Sequence, residues 1–187
     1  MTVAPPPSDP APSPSSPASS RAPLHPRVVA LGRELAAVHD ELRRSLRQLR
    51  AELAEPGSTA QPARSLQAHC AGFCSALARH HGSEDAAAFP LLARQVPELA
   101  PVLAELQADH QVIASILRRI EELASGAGPG NAARVRGELD GLAAILESHF
   151  RWEERRVTAA LDALDPAVHP AAELFGPLPA RGPAAAR

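Results

Sequence analysis

Four stretches of this 187-residue chain carry apolar residues at spacings of three and four, and no stretch alternates apolar with polar residues as a half-buried strand does. That periodicity restricts the fold to helices that each bury one stripe. The first stretch, from about Arg27 to Ala54, is striped by Leu31, Leu35, Val38, Leu42, Leu46, Leu49 and Leu53, and the Glu55-Pro56-Gly57 break ends it. The second starts near Pro62, a favoured first-turn residue, and shows Leu66, Cys70, Phe73 and Leu77 before Pro90 kinks or stops it. The third runs from about Pro101 to Ala124 with Leu103, Leu106, Ile113, Leu117, Ile120 and Leu123, followed by the loop sequence SGAGPG. Asn131 is placed to cap the fourth, whose inner face is marked by Val135, Leu139, Leu142, Leu146, Val157, Leu161 and Leu164. The expected fold is all-α, an up-down-up-down four-helix bundle with short connections.

The ends of the chain differ in kind. Residues 1–26 are dominated by Pro, Ser and Ala, with too little apolar surface to offset the entropy of ordering them, and read as a disordered tail rather than a secretory signal. Residues 165–187 repeat the Pro/Ala bias around a short apolar cluster at Leu174 and Phe175, and read as a second tail. Residues 27–164 are left to form the bundle. No apolar run is long enough to span a membrane, and the expected setting is cytoplasmic. A net charge of -2 with scattered arginines gives no electrostatic case for nucleic acid. Cys70 and Cys74, four apart on one helix face, read as small core residues rather than a disulfide.

The stripes are interrupted at one level. The first carries His39, the second His80 and Glu84, the third His110, and the fourth His149 and Glu153. Measured from the connecting turns, the two histidines of each hairpin are offset by only about 4 to 5 Å along the bundle. Burying six unpartnered ionisable groups at one level would cost several kcal/mol each, on the order given by transfer of such groups from water. Imidazole and carboxylate are ligands for iron, zinc and manganese, and His80 with Glu84 and His149 with Glu153 are i, i+4 pairs able to converge on one centre. Four histidines and two carboxylates suit two metals with both carboxylates shared; an internal His–Glu hydrogen-bond network is the alternative.

The motifs H-D-E-L-R at 39–43, H-H-G-S-E-D-A-A-A-F-P at 80–90, D-H-Q-V-I at 109–113 and H-F-R-W-E-E at 149–154 resemble those of hemerythrin-like HHE cation-binding domains. The resemblance covers about residues 28–164. It implies a four-helix bundle with a non-heme di-iron centre, that is two iron ions, taking O2 or a related small ligand such as NO. Its implied metal ligands are His39, His80, Glu84, His110, His149 and Glu153. Two departures stand out. Hemerythrins proper add a second histidine one turn on in the third helix, where this chain has Ala114, which leaves a coordination position open or water-filled. Their last carboxylate follows its histidine by five residues, whereas Glu153 follows His149 by four.

His81, Asp85, Asp40, Asp109 and Glu154 each adjoin an implied ligand. Turned by 100° from it, they are expected at helix interfaces or in solvent, some orienting the ligands; His81 is expected outside the ligand set. Phe150 and Trp152 read as packing, and His69 as too distant to share the centre. The favoured function is a binding module that takes up O2 or NO, or senses iron or redox state, without turning over an organic substrate: the ligand set is rich in histidine, and the chain has no tyrosine to host a radical. The alternative is a di-iron enzyme, an oxygenase, peroxidase or NO reductase, using the position left open at Ala114. A third reading is a zinc-filled interaction domain with the Pro-rich N-terminal tail as a partner ligand.

Overall fold

A computed structural model of the protein describes Met1 and residues 30–53, 62–126 and 131–177, with only the backbone described for 62–66. Helix is the only regular structure among the described residues. The expected N-terminal tail, apart from Met1, lies outside them, as do the Glu55-Pro56-Gly57 break, residues 127–130 and the chain after residue 177. There are four long helices, α1 (Leu31–Glu52), α2 (Pro62–Ser83), α4 (Ala100–Ser125) and α5 (Asn131–Asp162); a short helix α3 (Phe89–Gln95) lies between α2 and α4, and another, α6 (Ala171–Phe175), follows α5.

The apolar stripes are what these helices bury. On α1, Leu31, Leu35, Val38, Leu42, Leu46 and Leu49 are buried, and on α5 the same holds for Val135, Leu139, Leu142, Leu146, Val157 and Leu161. Leu53, Leu123 and Leu164, the last members of their stripes, are half-buried at or near the helix ends. Cys70 and Cys74 are free and buried in the core, and burial pushes their thiols up to about 11 and about 12, so both sit there as small apolar groups.

Each long helix packs on two others, α1 on α2 and α5, and α4 on α2 and α5. Direction follows from paired residues. Descending α1 from Arg50 through Arg43 and His39 to Gly32, the partners on α5 ascend through Asp140, Glu147, Glu154 and Asp162, so these two helices run antiparallel. Glu52 with His69 and His39 with His80 give the same sense to α1 and α2, and Arg119 with Glu138 and Asp109 with His149 to α4 and α5.

At the start of α1 no side chain of its own caps the free amides. Asp162, at the end of α5, does so instead by accepting the Gly32 N–H at 2.8 Å. A Cβ on Gly32 would lie 2.5 Å from Thr158 Cγ2 and 2.9 Å from Asp162 Oδ1, neither distance tolerable. Gly32→Ala is therefore expected to lower stability by about 1–3 kcal/mol, the usual range for forced overpacking, read as an earlier denaturant midpoint at unchanged m-value. Asn131 does not act as the expected cap: it is the first residue of α5, and its side-chain amide donates to the Gly126 carbonyl at 2.9 Å across the loop.

Two expectations need correction. Pro90 neither stops nor simply kinks the second helix. Its ring has no N–H to give and would crowd the carbonyl four residues back, and the chain accommodates this with a π turn over Glu84–Ala88 in which the Phe89 N–H reaches the Glu84 carbonyl. The helix then continues as α3. The C-terminal segment, expected to be a tail from residue 165, folds back as far as its described part extends: α6 packs on α1, α2 and the π turn, with Leu174 and Phe175 buried. Two large apolar side chains outweigh the Pro/Ala composition around them.

Candidate metal centre

Among the described residues only seven polar or charged side chains are buried: His39, His80, His81, Glu84, His110, His149 and Glu153. They come from all four long helices and the π turn and meet at one level of the bundle. Six are the residues picked out by the interrupted stripes. The seventh, His81, was expected to one side. It is 5 % exposed, its ring stacked on His110 at 3.9 Å and 5.3 Å from that of His149. The reason is geometric. α2 sits at a corner between α1 and α4, so two residues 100° apart both face inward, His80 towards His39 and His81 towards His110.

These side chains form two groups whose donor atoms all lie within 4.8 Å of one another: His39, His80, Glu84 and Glu153 in one, and His81, His110 and His149 in the other. The carboxylates span them. Glu84 places Oε1 3.3 Å from His80 Nε2 and Oε2 3.7 Å from His110 Nε2. Glu153 Oε2 is 3.4 Å from His39 Nε2 and 3.8 Å from His149 Nε2.

The outer ring nitrogens are held from behind. His39 Nδ1 bonds Glu154 at 2.7 Å, His110 Nδ1 bonds Asp85 at 2.9 Å, His149 Nδ1 bonds Asp109 at 3.3 Å, and His80 Nδ1 donates to the Phe175 carbonyl at 3.1 Å. Glu154 is itself bonded by Arg43, whose guanidinium lies over the Phe150 ring that stacks on His39. Each Nδ1 so occupied turns its Nε2 inward, the arrangement by which metal-binding histidines are fixed in tautomer and direction. Residues adjoining the stripes thus carry the orienting role: Asp85, Asp109 and Glu154. Asp40 pairs with Arg43, and His69 is exposed and pairs with Glu52.

The electrostatics show what the inner atoms lack. The Phe175 carbonyl can only accept, so His80 Nδ1 carries the hydrogen and its Nε2 is bare, 3.0 Å from His39 Nε2. Two bare nitrogens at that distance repel; a cation is needed there, either a proton on His39 donated to His80 or a metal ion. Burial, reinforced by the charge of His39, pushes His80 down to about 3. For His39 burial acts the same way, but Glu153 and Glu154 outweigh it and raise its pKa. Burial and the charge of Glu153 drive Glu84 well above the carboxylate range, while Glu153, against its own burial, is held low by the pull of His39. Burial and the neighbouring histidines push His81 well down, and His149 is lowered by burial despite Glu153.

Seven inner atoms have no hydrogen-bond partner at all: Nε2 of His81, His110 and His149, and both oxygens of Glu84 and of Glu153. Native interiors leave only a few such atoms per hundred residues, by the usual count of about 90 % or more satisfied, and each costs about 1–3 kcal/mol when left unpaired. Seven facing one another from α2, α4, α5 and the π turn fit bound cations, with nitrogen and oxygen donors of the types that suit iron, zinc or manganese.

Comparison with known proteins agrees with that geometry. The family model described as the hemerythrin HHE cation-binding domain matches residues 31–161, and so takes in all seven residues. No curated protein and no solved structure gives a match.

Proposed function

The chain belongs to the hemerythrin HHE cation-binding domain family, and on that premise we propose that it is a non-heme di-iron protein, an up-down-up-down four-helix bundle that binds O2 or a related small ligand such as NO, or senses iron or redox state through that centre. The observation that carries this reading is the set of seven partnerless donor atoms turned towards one another from α2, α4, α5 and the π turn, with His39 of α1 beside them. His39 and His80 would hold one iron ion, His81, His110 and His149 the other, with Glu84 and Glu153 shared. Such a centre, when bound, supplies reversible uptake of a diatomic ligand or a change of redox state.

The chain's own residues do the rest. Glu154, Asp85, Asp109 and the Phe175 carbonyl fix the rings, so little reorganisation is needed on binding. Phe150 and the leucines above and below the level exclude water. His81 supports binding over turnover. It occupies the neighbourhood of His110 and His149, where the Ala114 departure suggested an open position, and so makes up the third histidine from α2 rather than α4. With that position filled, the enzymatic alternative loses the feature that favoured it.

Anaerobic loading with Fe(II) tests the reading. Two iron ions per chain are expected, with new charge-transfer absorption on exposure to O2 or NO, and His81→Ala should lower the stoichiometry towards one. Absence of any spectral change with either ligand, or a single zinc ion and no iron in protein purified without added metal, would refute it.

A further inference from the structure

We propose that residues 165–177, which lie beyond the span matched by the family, act as a clasp on the centre, with the Phe175 backbone as a positioning group for the ligand His80. α6 docks on α1, α2 and the π turn, the three elements that carry His39, His80 and Glu84. Its anchors Leu174 and Phe175 are 3 % and 1 % exposed. Immediately after them Gly176 adopts φ +74°, a left-handed conformation in which a Cβ would lie 3.2 Å from Ser83 Oγ and 3.5 Å from the Arg79 carbonyl. The chain is thereby pressed against the α2 backbone where the Phe175 carbonyl meets His80 Nδ1.

His80 is thus held differently from the three histidines whose Nδ1 meets a carboxylate. His39, His110 and His149 are backed by carboxylates whose side chains are 26 %, 28 % and 51 % exposed. The partner of His80 is a neutral carbonyl brought in by packing. A carbonyl accepts only, so the docked clasp alone dictates that Nδ1 carries the hydrogen and that bare Nε2 faces Glu84, 3.3 Å away. With the clasp undocked, His80 Nδ1 loses that partner, and ring direction and tautomer are no longer fixed.

The inference rests on His80 being an iron ligand, and the test separates the two. Iron-loaded full-length Phe175→Ala is compared with Leu139→Ala, a core truncation about 15 Å along α5 from His149. Loss of iron to a chelator should be at least about tenfold faster in Phe175→Ala, the usual scale for removing a ligand's outer partner, with a shifted charge-transfer band. Leu139→Ala should show neither, although it too loses stability. Equal iron loss and identical spectra in the two variants would overturn the clasp. If Phe175→Ala does not fold, Phe175→Leu should show the same changes in smaller measure, and wild-type behaviour there would overturn it equally. Before iron is added, nitrogen NMR of the wild type should show His80 protonated at Nδ1 and that state lost in the variant. A His80 protonated at Nε2 refutes the clasp while leaving the di-iron reading intact; the expected tautomer in a protein that takes up no iron refutes only the latter.

Discussion

Saturation with Fe(II) is expected to raise the thermal unfolding midpoint by about 8–16 °C. A ligand present at a thousand times its dissociation constant stabilises the native state by about 4 kcal/mol, and each kcal/mol moves the midpoint of a chain this size by about 2–4 °C. The seven partnerless atoms are the reason for a large effect. Metal-free, they are desolvated without compensation; unfolded, the chain brings no two of the four helices' donors together, so iron binds the native state almost alone. Differential scanning calorimetry with and without iron, and with chelator added back, measures the shift. His149→Ala, which removes one donor from the level, should lose most of it. An unchanged midpoint at saturating iron, or an equal rise in that variant, would mean that the metal binds elsewhere.

Much of the arrangement was legible in the sequence because burial writes itself into spacing. Leu35, Val38 and Leu42 on α1 bracket His39 as Leu146 and Val157 on α5 bracket His149 and Glu153, and the inward direction of a polar residue follows from its apolar neighbours. His81 was misplaced by the same reasoning. A stripe treated as a line of contact admits one residue of an adjacent pair, whereas a helix lodged between two neighbours buries a wedge wide enough for both. The π turn leaves no periodic signal, since it adds one residue to one turn; Pro90 was the only hint that the ladder had to be rearranged near Glu84. The Phe175 carbonyl could not be found at all, because a backbone acceptor has no residue type. Only the apolar pair Leu174 and Phe175, set in a Pro/Ala-rich segment, marked a place where the chain returns to the core.

Glu84→Leu is expected to stabilise the metal-free protein by about 1–4 kcal/mol, the range seen when buried ionic groups are replaced by apolar residues of similar volume, while abolishing uptake of the second iron. Glu84 is fully buried, its carboxyl raised by that burial and by the charge of Glu153, and neither oxygen has a hydrogen-bond partner. Removing it orphans nothing when no metal is bound, since neither of its oxygens has a hydrogen-bond partner to lose, and leucine is close to it in volume. Glu153→Leu should do the opposite. Glu153 supports the charged form of His39 and is held low by it, so its removal leaves a buried imidazolium with only Glu154 to face, and a loss of about 3–5 kcal/mol is the usual consequence of breaking a buried pair. Urea unfolding of the two metal-free variants reads the difference directly. Opposite signs place the cost of the centre on Glu84 and its electrostatic anchor on Glu153, two carboxylates that hold equivalent i, i+4 positions in the sequence and are set apart only by the ring that each one faces.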